Sequence, residues 1–209
     1  MLKKCEKIVN YLDFLYEKPI CELNFNNNLQ LLIAVILSAQ CTDKRVNIVT
    51  EKLFEKCKNV DDYISLGQEN LEKMIYSCGF YKNKSKNIIN ACKDIKERFN
   101  GEVPRDFDDL VSLSGVGRKT ANVVLSVAFD EDAIAVDTHV FRLSHRLGLS
   151  SANTPTKVEM DLRKKFDKHL WKKLHYQLVL FGRYKCKARN PICEECKLKD
   201  ICNYYKNNK

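Results

Sequence analysis

Apolar residues recur with a helical period along almost the whole chain of 209 residues. The segment Leu29–Leu37 is apolar around nearly its whole circumference, which predicts a helix buried within a core. Elsewhere the apolar residues recur at intervals of three and four, as they do on the packed face of a helix. No segment has the alternation typical of a strand, so the sequence predicts an all-α fold. The predicted helices lie at 2–15, 29–37, 43–54, 70–77, 82–99, 106–113, 118–129, 137–147, 155–166 and 171–184.

The net charge of +9 is concentrated near the C-terminus. Residues 156–209 carry 15 basic and 6 acidic side chains, whereas residues 1–155 carry 21 of each. Such a local basic excess favours a polyanionic partner such as nucleic acid, although a solvated lysine-rich surface has the same composition. The longest apolar run is too short to span a bilayer, and no signal-peptide pattern precedes the first helix. We therefore expect a cytoplasmic protein.

Two glycines separate two of the predicted helices in the sequence LSGVGRKTANVV, residues 113–124. Gly115 and Gly117 permit a tight turn, and the helix that begins at Arg118 leaves unpaired N–H groups that can bind an anion. The two helices and their turn form a helix-hairpin-helix, a unit that binds DNA phosphates without selecting sequence. We expect Gly115, Val116, Gly117 and Arg118 to contact DNA. The alternative is an αα-hairpin whose glycines only allow close packing.

Lys119 and Asp137 are the candidate catalytic residues. A lysine that is partly withdrawn from water near a helix N-terminus can form a Schiff base with an aldehyde-level carbon, although a solvated or phosphate-pairing lysine is the alternative. Asp137 follows the apolar stretch Ile134–Val136 and precedes a helix, as an N-cap aspartate does. A carboxylate fixed in this way can also stabilise an oxocarbenium-like sugar or assist proton transfer. We expect His139 and His145 to be surface or packing residues rather than catalytic ones.

Four of the ten cysteines are spaced as Cys186-x6-Cys193-x2-Cys196-x5-Cys202. Uneven spacing and ligation by thiolates alone favour a four-iron cluster, while zinc and disulfides are the alternatives. Because so short a segment buries little apolar surface, a metal centre would be needed to fold it. Lys187 and Arg189 lie in the first loop of this motif. They are candidates to bind DNA phosphates and to offset the charge of the thiolates, and the two roles are compatible.

Together these motifs resemble the endonuclease III family of bifunctional DNA glycosylases, within the helix-hairpin-helix glycosylase superfamily. The segments LSGVGRKTANVVLSVAF and AVDTHVFRLSHRLGL and the four-cysteine motif occur in that order, and the similarity extends from LLIAVILSAQCTD to the final cysteine. The resemblance implies two helical lobes with a DNA cleft between them. The helical-barrel domain would span residues 20–132, with the helix-hairpin-helix at 106–129, and residues 1–19 and 133–209 would form the cluster domain.

The resemblance also implies the roles of individual residues. Lys119 would attack C1′ of the damaged nucleotide, Asp137 would be the catalytic aspartate, and β-elimination through the imine would nick the strand on the 3′ side. Gln40, in SAQCTD, and Phe80, in GFYKNK, match positions where the family inserts side chains into the duplex. Phe80 is larger than the expected leucine, and its alternative is a core aromatic. The cofactor would be a [4Fe-4S] cluster ligated by Cys186, Cys193, Cys196 and Cys202.

The implied substrates are oxidised or ring-saturated pyrimidines in double-stranded DNA, bound by a monomer. A non-planar base stacks weakly, so it leaves the duplex at a lower cost. One alternative is the adenine mismatch glycosylase branch, but that branch lacks the hairpin lysine, needs a glutamate where Ala34 stands and carries an additional C-terminal domain. Another is a non-catalytic, DNA-binding or redox-sensing iron–sulfur protein, against which the presence of both Lys119 and Asp137 argues.

Overall fold

The computed structural model describes residues 2–208, and this part of the chain is helical with no β-strand. The all-α prediction is therefore confirmed. Among these residues no helix is long and apolar enough to cross a bilayer. A short 3₁₀ turn at Lys168–Leu170 precedes the last long helix. The α-helices are α1 (Lys3–Leu15), α2 (Asn28–Ser38), α3 (Asp43–Lys56), α4 (Val60–Ile75), α5 (Tyr81–Arg98), α6 (Phe107–Ser112), α7 (Arg118–Ala128), α8 (Thr138–Arg146), α9 (Pro155–Lys165), α10 (Trp171–Tyr184) and α11 (Asn203–Asn207).

The central helix of residues 22–130, which form one compact unit, is α2. Every residue from Leu29 to Leu37 is buried, as the sequence predicted. The helix begins where the Asn27 side chain accepts a hydrogen bond from the Gln30 backbone at 2.9 Å, and it packs against α3, α5 and α7. Each fully buried leucine or isoleucine contributes about 1.5–3 kcal/mol, so α2 fixes the elements that carry the loops described below.

The first half of α4 was missed by the sequence prediction, which placed a helix only at residues 70–77. The helix begins at Val60 behind a capping box, in which the Asn59 side chain accepts from the Asp62 backbone at 3.0 Å. Within it, Gly67 has φ 74° and ψ 163°, a non-helical conformation that kinks the helix. Glycine tolerates a positive φ because it has no Cβ. The kink divides the apolar pattern, and only the second half was recognised.

A second compact unit joins the chain up to Cys21 with the chain from Glu131 onward. Its core is built from apolar residues of α1, α8, α9 and α10, together with the extended segment that ends at Val136. Helices α8 and α10 approach closely at Gly182. A Cβ built on this glycine would lie only 2.8 Å from the Cβ of His139. The short helix α11, directly after Cys202, was not predicted.

Candidate functional site

The backbone of the turn between α6 and α7 requires a glycine at Gly115 but not at Gly117. Gly115 has φ +78°, and a Cβ there would lie 2.7 Å from the Cβ of Asn87. Gly117 has φ −90° and ψ 174°, which any residue can adopt, and no atom lies within 4 Å of a Cβ built on it. Of the two glycines that permit the tight turn, only the first therefore has a positive φ. The open space at the second leaves room for another molecule to approach the backbone.

The N-terminus of α7 carries backbone donors that are available to an anion. Within the described residues no side chain caps this helix, and its first intrahelical bond is donated by Ala121 to Gly117 at 3.0 Å. The amides that precede Ala121 in α7 therefore have no intrahelical acceptor. The Arg118 guanidinium lies 4.9 Å from the centre of the Phe107 ring on α6, where it braces the two helices. This arrangement can bind one phosphate.

Lys119 is the second residue of α7, and its side chain is exposed. No ion pair of the described residues involves its ammonium group. The partial desolvation expected from the sequence is not found in the protein alone, because α7 presents this residue on its solvent-facing side. An exposed primary amine beside an uncapped helix N-terminus is accessible both to a phosphate and to an electrophilic carbon.

Asp137 is the N-cap of α8, as predicted. Its Oδ1 accepts a hydrogen bond from the Val140 backbone at 2.8 Å, and the side chain is partly buried. The segment before it is anchored by the buried His175, whose Nδ1 lies 2.9 Å from the carbonyl oxygen of Ala135. The carboxylate is therefore fixed in position and direction. Lys119 belongs to the unit of residues 22–130 and Asp137 to the other unit.

The two histidines of α8 make packing contacts. Burial has the largest effect on the pKa of His139 and lowers it. Nearby Asp137 raises this pKa, and Arg142 lowers it further. Its Nδ1 lies 3.3 Å from a guanidinium nitrogen of Arg142. The nitrogens of His145 lie 2.8 Å from the carbonyl oxygen of Phe141 and 3.1 Å from that of Ala152.

Gln40 and Phe80 are both held in a left-handed backbone conformation, with φ 52° and 58°. Both are exposed, and Phe80 retains 62% of its accessible surface. The alternative that Phe80 is a core aromatic is therefore wrong. The two loops meet, since a Cβ built on Gly79 would lie 3.5 Å from the carbonyl oxygen of Gln40. The structure thus brings both candidate insertion residues together within one unit.

An aromatic neighbour of Phe80 was not recognised from the sequence. Tyr76 is 70% exposed, and its ring centre lies 5.1 Å from that of Tyr81. Three aromatic residues, Tyr76, Phe80 and Tyr81, therefore occupy the segment between α4 and the first turn of α5. Their spacing of four and one residues around Gly79 could have identified this group.

All four cysteines of the C-terminal motif line one pocket, which is mostly apolar and includes Phe181 and Leu147. Burial, followed by the charges of the neighbouring Cys186 and Cys202, raises the pKa of Cys193. The pKa of Cys196 is likewise raised, first by burial. Among residues 2–208, no three His, Cys, Asp or Glu side chains are close enough to share one metal ion. Four thiols around a pocket are the donor set of an iron–sulfur cluster, so the residues fit that group.

Arg146, at the C-terminal end of α8, contacts one of the four cysteines, and the sequence analysis did not identify it. Its Nη1 donates to Cys186 Sγ at 3.3 Å and to the carbonyl oxygen of Lys187 at 2.7 Å, while Nη2 donates to that of Ala188 at 3.0 Å. The guanidinium also lies 4.0 Å from the centre of the Tyr204 ring. These contacts hold the first loop of the motif against α8. Its position 40 residues earlier in the chain left no local pattern to find.

The side chains of Lys187 and Arg189 are exposed in the loop that Arg146 holds. The other role expected of them, to offset the thiolate charge, is filled at Cys186 by Arg146. A loop with fixed backbone and two exposed cations is a surface suited to phosphates.

Comparison with protein families gives two matches along the chain. Residues 33–168 match the HhH-GPD superfamily of base excision DNA repair proteins. Residues 186–202, from the first to the last cysteine of the motif, match the iron-sulfur binding domain of endonuclease III.

Similar whole proteins were also found. The chain is 49% identical to an endonuclease III of Bacillus subtilis over 202 residues, which cover 96% of this chain and 92% of that protein. It is 44% identical to an endonuclease III of Escherichia coli K12 over 186 residues, or 89% and 88% of the two chains. Among solved structures, a trapped covalent endonuclease III–DNA intermediate is 47% identical, with a TM-score of 0.95 and coverage of 100% of this chain and 99% of that one. A non-covalent endonuclease III–DNA complex has the same TM-score and coverage at 46% identity.

Proposed function

The chain belongs to the endonuclease III family of base-excision DNA repair proteins, and from this premise we propose how its own residues perform the reaction. The activity is that of a DNA glycosylase combined with an AP lyase. The observation that carries the assignment of residues is the exposed amine of Lys119 beside the uncapped N-terminus of α7. Identity of 44–49% over most of the chain favours this branch over the adenine mismatch glycosylases.

The hairpin between α6 and α7 binds the DNA backbone. The open space over Gly117 admits a phosphate oxygen, and backbone amides at the N-terminus of α7 donate to it. The positive end of the helix dipole adds to this attraction. Because these donors are backbone groups, the contact selects no base and serves to position the strand.

Lys119 is the nucleophile in this proposal. Its Nζ attacks C1′ of the damaged nucleotide, and the bond from C1′ to the base breaks as the base leaves. The bound DNA supplies the water exclusion that the protein alone does not, which favours the unprotonated amine. The C1′–O4′ bond then breaks as the nitrogen forms the imine, and the amine proton passes to O4′. The imine makes the C2′ proton acidic, and its loss expels the 3′ phosphate oxygen. The strand is thereby nicked on the 3′ side.

Asp137 provides the carboxylate. Its Oδ1 accepts the cap bond from Val140, and Oδ2 can face the developing positive charge of the sugar. The same oxygen can accept a proton during formation of the imine.

Gln40 and Phe80 enter the duplex when the damaged pyrimidine is extruded. Their adjoining loops and exposed side chains support this role. An inserted aromatic ring can stack on the neighbouring bases at about 1–3 kcal/mol per base, which offsets part of the cost of unstacking. We propose oxidised or ring-saturated pyrimidines as the substrates, because they stack weakly.

The iron–sulfur domain organises the C-terminal loop. An iron–sulfur cofactor is indicated by the family match over residues 186–202, and we propose a [4Fe-4S] cluster ligated by Cys186, Cys193, Cys196 and Cys202. When bound, it cross-links the loop and so fixes Lys187 and Arg189 for contact with phosphates. We further propose that the enzyme acts as a monomer in the cytoplasm.

Borohydride trapping on duplex DNA that contains thymine glycol tests the assignment of Lys119. The wild-type protein should give a covalent adduct, and both Lys119→Gln and Lys119→Arg should give none. The arginine variant retains the positive charge, so it separates nucleophilic attack from phosphate binding. Lys52→Gln, which changes an exposed lysine on α3 of the same unit, is the control and should trap normally. A normal adduct from Lys119→Arg would assign the Schiff base to another amine.

A further inference from the structure

Two free cysteines outside the cluster motif lie in the adjoining loops that carry Gln40 and Phe80. Cys41 follows Gln40 directly and is partly exposed, whereas Cys78 precedes Gly79 and is fully buried. The approach of Gly79 to the carbonyl oxygen of Gln40 is an approach to the peptide bond that Gln40 shares with Cys41. The backbones that carry the two thiols are therefore next to each other, although 37 positions separate the cysteines in the sequence.

The surroundings of the two thiols are electropositive. The buried Lys84 interacts electrostatically with both cysteines, and its Nζ donates to the carbonyl oxygen of Leu37 at 2.8 Å. Burial, followed by the neighbouring Cys41 thiol, raises the pKa of Cys78 to about 11. A partly exposed thiol with a nearby cation and a buried second thiol has the features of an oxidation-sensitive pair.

We propose that Cys41 and Cys78 form a reversible intramolecular disulfide, with Cys41 as the thiol that reacts first. The oxidant is a low-molecular-weight disulfide. The Cys41 thiolate attacks one of its sulfurs, forming a mixed disulfide and releasing one small thiol. Cys78 then loses its proton and attacks the Cys41 sulfur, which breaks the mixed bond and releases the second small thiol. The pair loses two electrons and two protons, and the small disulfide gains both.

The order of the two steps follows from accessibility. Cys78 has no exposed surface, so it cannot meet an external oxidant, and its accessible partner is a thiol of the protein itself. A second pair provides a contrast. Cys57 and Cys92 also interact, but each is only 1% exposed. Because these two thiols are close together but inaccessible to an external oxidant, we predict that the second pair stays reduced in the folded protein.

The bond would tie together the two loops from which Gln40 and Phe80 project. Binding interfaces commonly adjust their loops and side chains when a partner docks, and a covalent link one residue from Gln40 and two from Phe80 restricts that adjustment. The oxidised protein should therefore bind lesion-containing duplex severalfold more weakly than the reduced protein. This step rests on the proposed function, whereas formation of the disulfide does not.

The test treats the purified holoenzyme anaerobically with oxidised glutathione and analyses its non-reduced peptides by mass spectrometry. We expect a peptide pair joined through Cys41 and Cys78 that disappears after dithiothreitol, and we expect no pair joined through Cys57 and Cys92. Cys41→Ser should abolish the link, while Cys57→Ser should leave it intact. Persistence of free, alkylatable Cys41 after the treatment, or linkage of the Cys57–Cys92 pair to the same extent, would overturn the proposal.

Binding to a thymine-glycol duplex is measured on the same samples. Oxidation should weaken binding by the wild-type protein and by Cys57→Ser, but not by Cys41→Ser. If the link forms and binding stays the same, the coupling to DNA recognition is wrong while the disulfide stands. If the reduced protein fails to bind lesion DNA, the proposed function fails independently of the thiol chemistry.

Discussion

At the scale of single residues, backbone strain coincides with the candidate insertion residues. A left-handed conformation costs a non-glycine residue about 1–3 kcal/mol, and Gln40 and Phe80 both adopt it. The surrounding helices must hold the two loops in place, since neither side chain is buried. The sequence motif identified both positions, but it could not predict their conformation or the contact between their loops, which arise from tertiary packing.

His139 should make stability depend on pH. Because burial lowers its pKa below the ordinary value of 6.5, the unfolded chain takes up a proton at a higher pH than the folded chain does. The contribution of this residue to the free energy of unfolding is complete above pH 6.5. It is lost as the pH falls toward the pKa of the folded state, by about 1.4 kcal/mol for each unit of difference between the folded and unfolded pKa. Urea unfolding from pH 8 to pH 5 should show a shallower loss for His139→Gln than for the wild type.

The control for this measurement is His169→Gln, which changes an exposed histidine in the same unit. Its pH profile should follow that of the wild type. A wild-type profile that is unchanged by His139→Gln would show that the buried imidazole is not the group responsible.

At the scale of elements, local signals served well where capping and turn residues mark the ends of helices. The predicted helices at 106–113, 137–147 and 155–166 begin close to α6, α8 and α9, where Asp106, Asp137 and Thr154 cap amides a few positions away. The kink at Gly67 and the helix α11 were missed, since the first divides an amphipathic pattern and the second lies in a polar tail. Arg146 was missed for the opposite reason, because its partners are about 40 residues distant in the sequence.

The two glycines of the hairpin should respond differently to alanine. Gly115→Ala places a methyl group 2.7 Å from the Cβ of Asn87 at a positive φ, so it should lower the free energy of unfolding by roughly 1–3 kcal/mol. Gly117→Ala meets no atom within 4 Å and should change it by less than about 0.5 kcal/mol. It should nevertheless weaken DNA binding, because the methyl group occupies the space proposed for a phosphate.

Urea unfolding and DNA-binding titrations on both variants check this prediction, with each variant serving as the control for the other. Equal destabilisation by the two substitutions would contradict the different conformations of the glycines. Unaltered affinity of Gly117→Ala would remove the phosphate from that position.

At the scale of the whole molecule, the sequence alone shows where the excess of positive charge lies. The basic excess of residues 156–209 includes Lys187 and Arg189, which are exposed in the loop held by Arg146. The family and the all-α fold could likewise be predicted, because three ordered motifs span the chain. The placement of the charges on a loop whose backbone is fixed could not, since it depends on contacts made by α8.

Salt dependence of DNA binding measures how many phosphates the loop contacts. Lys187→Ala and Arg189→Ala should each weaken binding and reduce the slope of log affinity against log salt by about one unit. Trapping of the Schiff base at saturating DNA should change little. Lys93→Ala, on an exposed face of α5, is the control and should leave the slope unchanged. An unchanged slope in both loop variants would place the loop away from the DNA.

Helix α8 makes a functional contact at each end. It begins after the fixed carboxylate of Asp137 and ends with the arginine that holds the cysteine loop. Delivery of iron to a newly synthesised chain would therefore also steady the helix that presents this acid. We expect assembly of the metal centre to precede repair activity, so that newly translated copies that lack iron nick damaged DNA poorly.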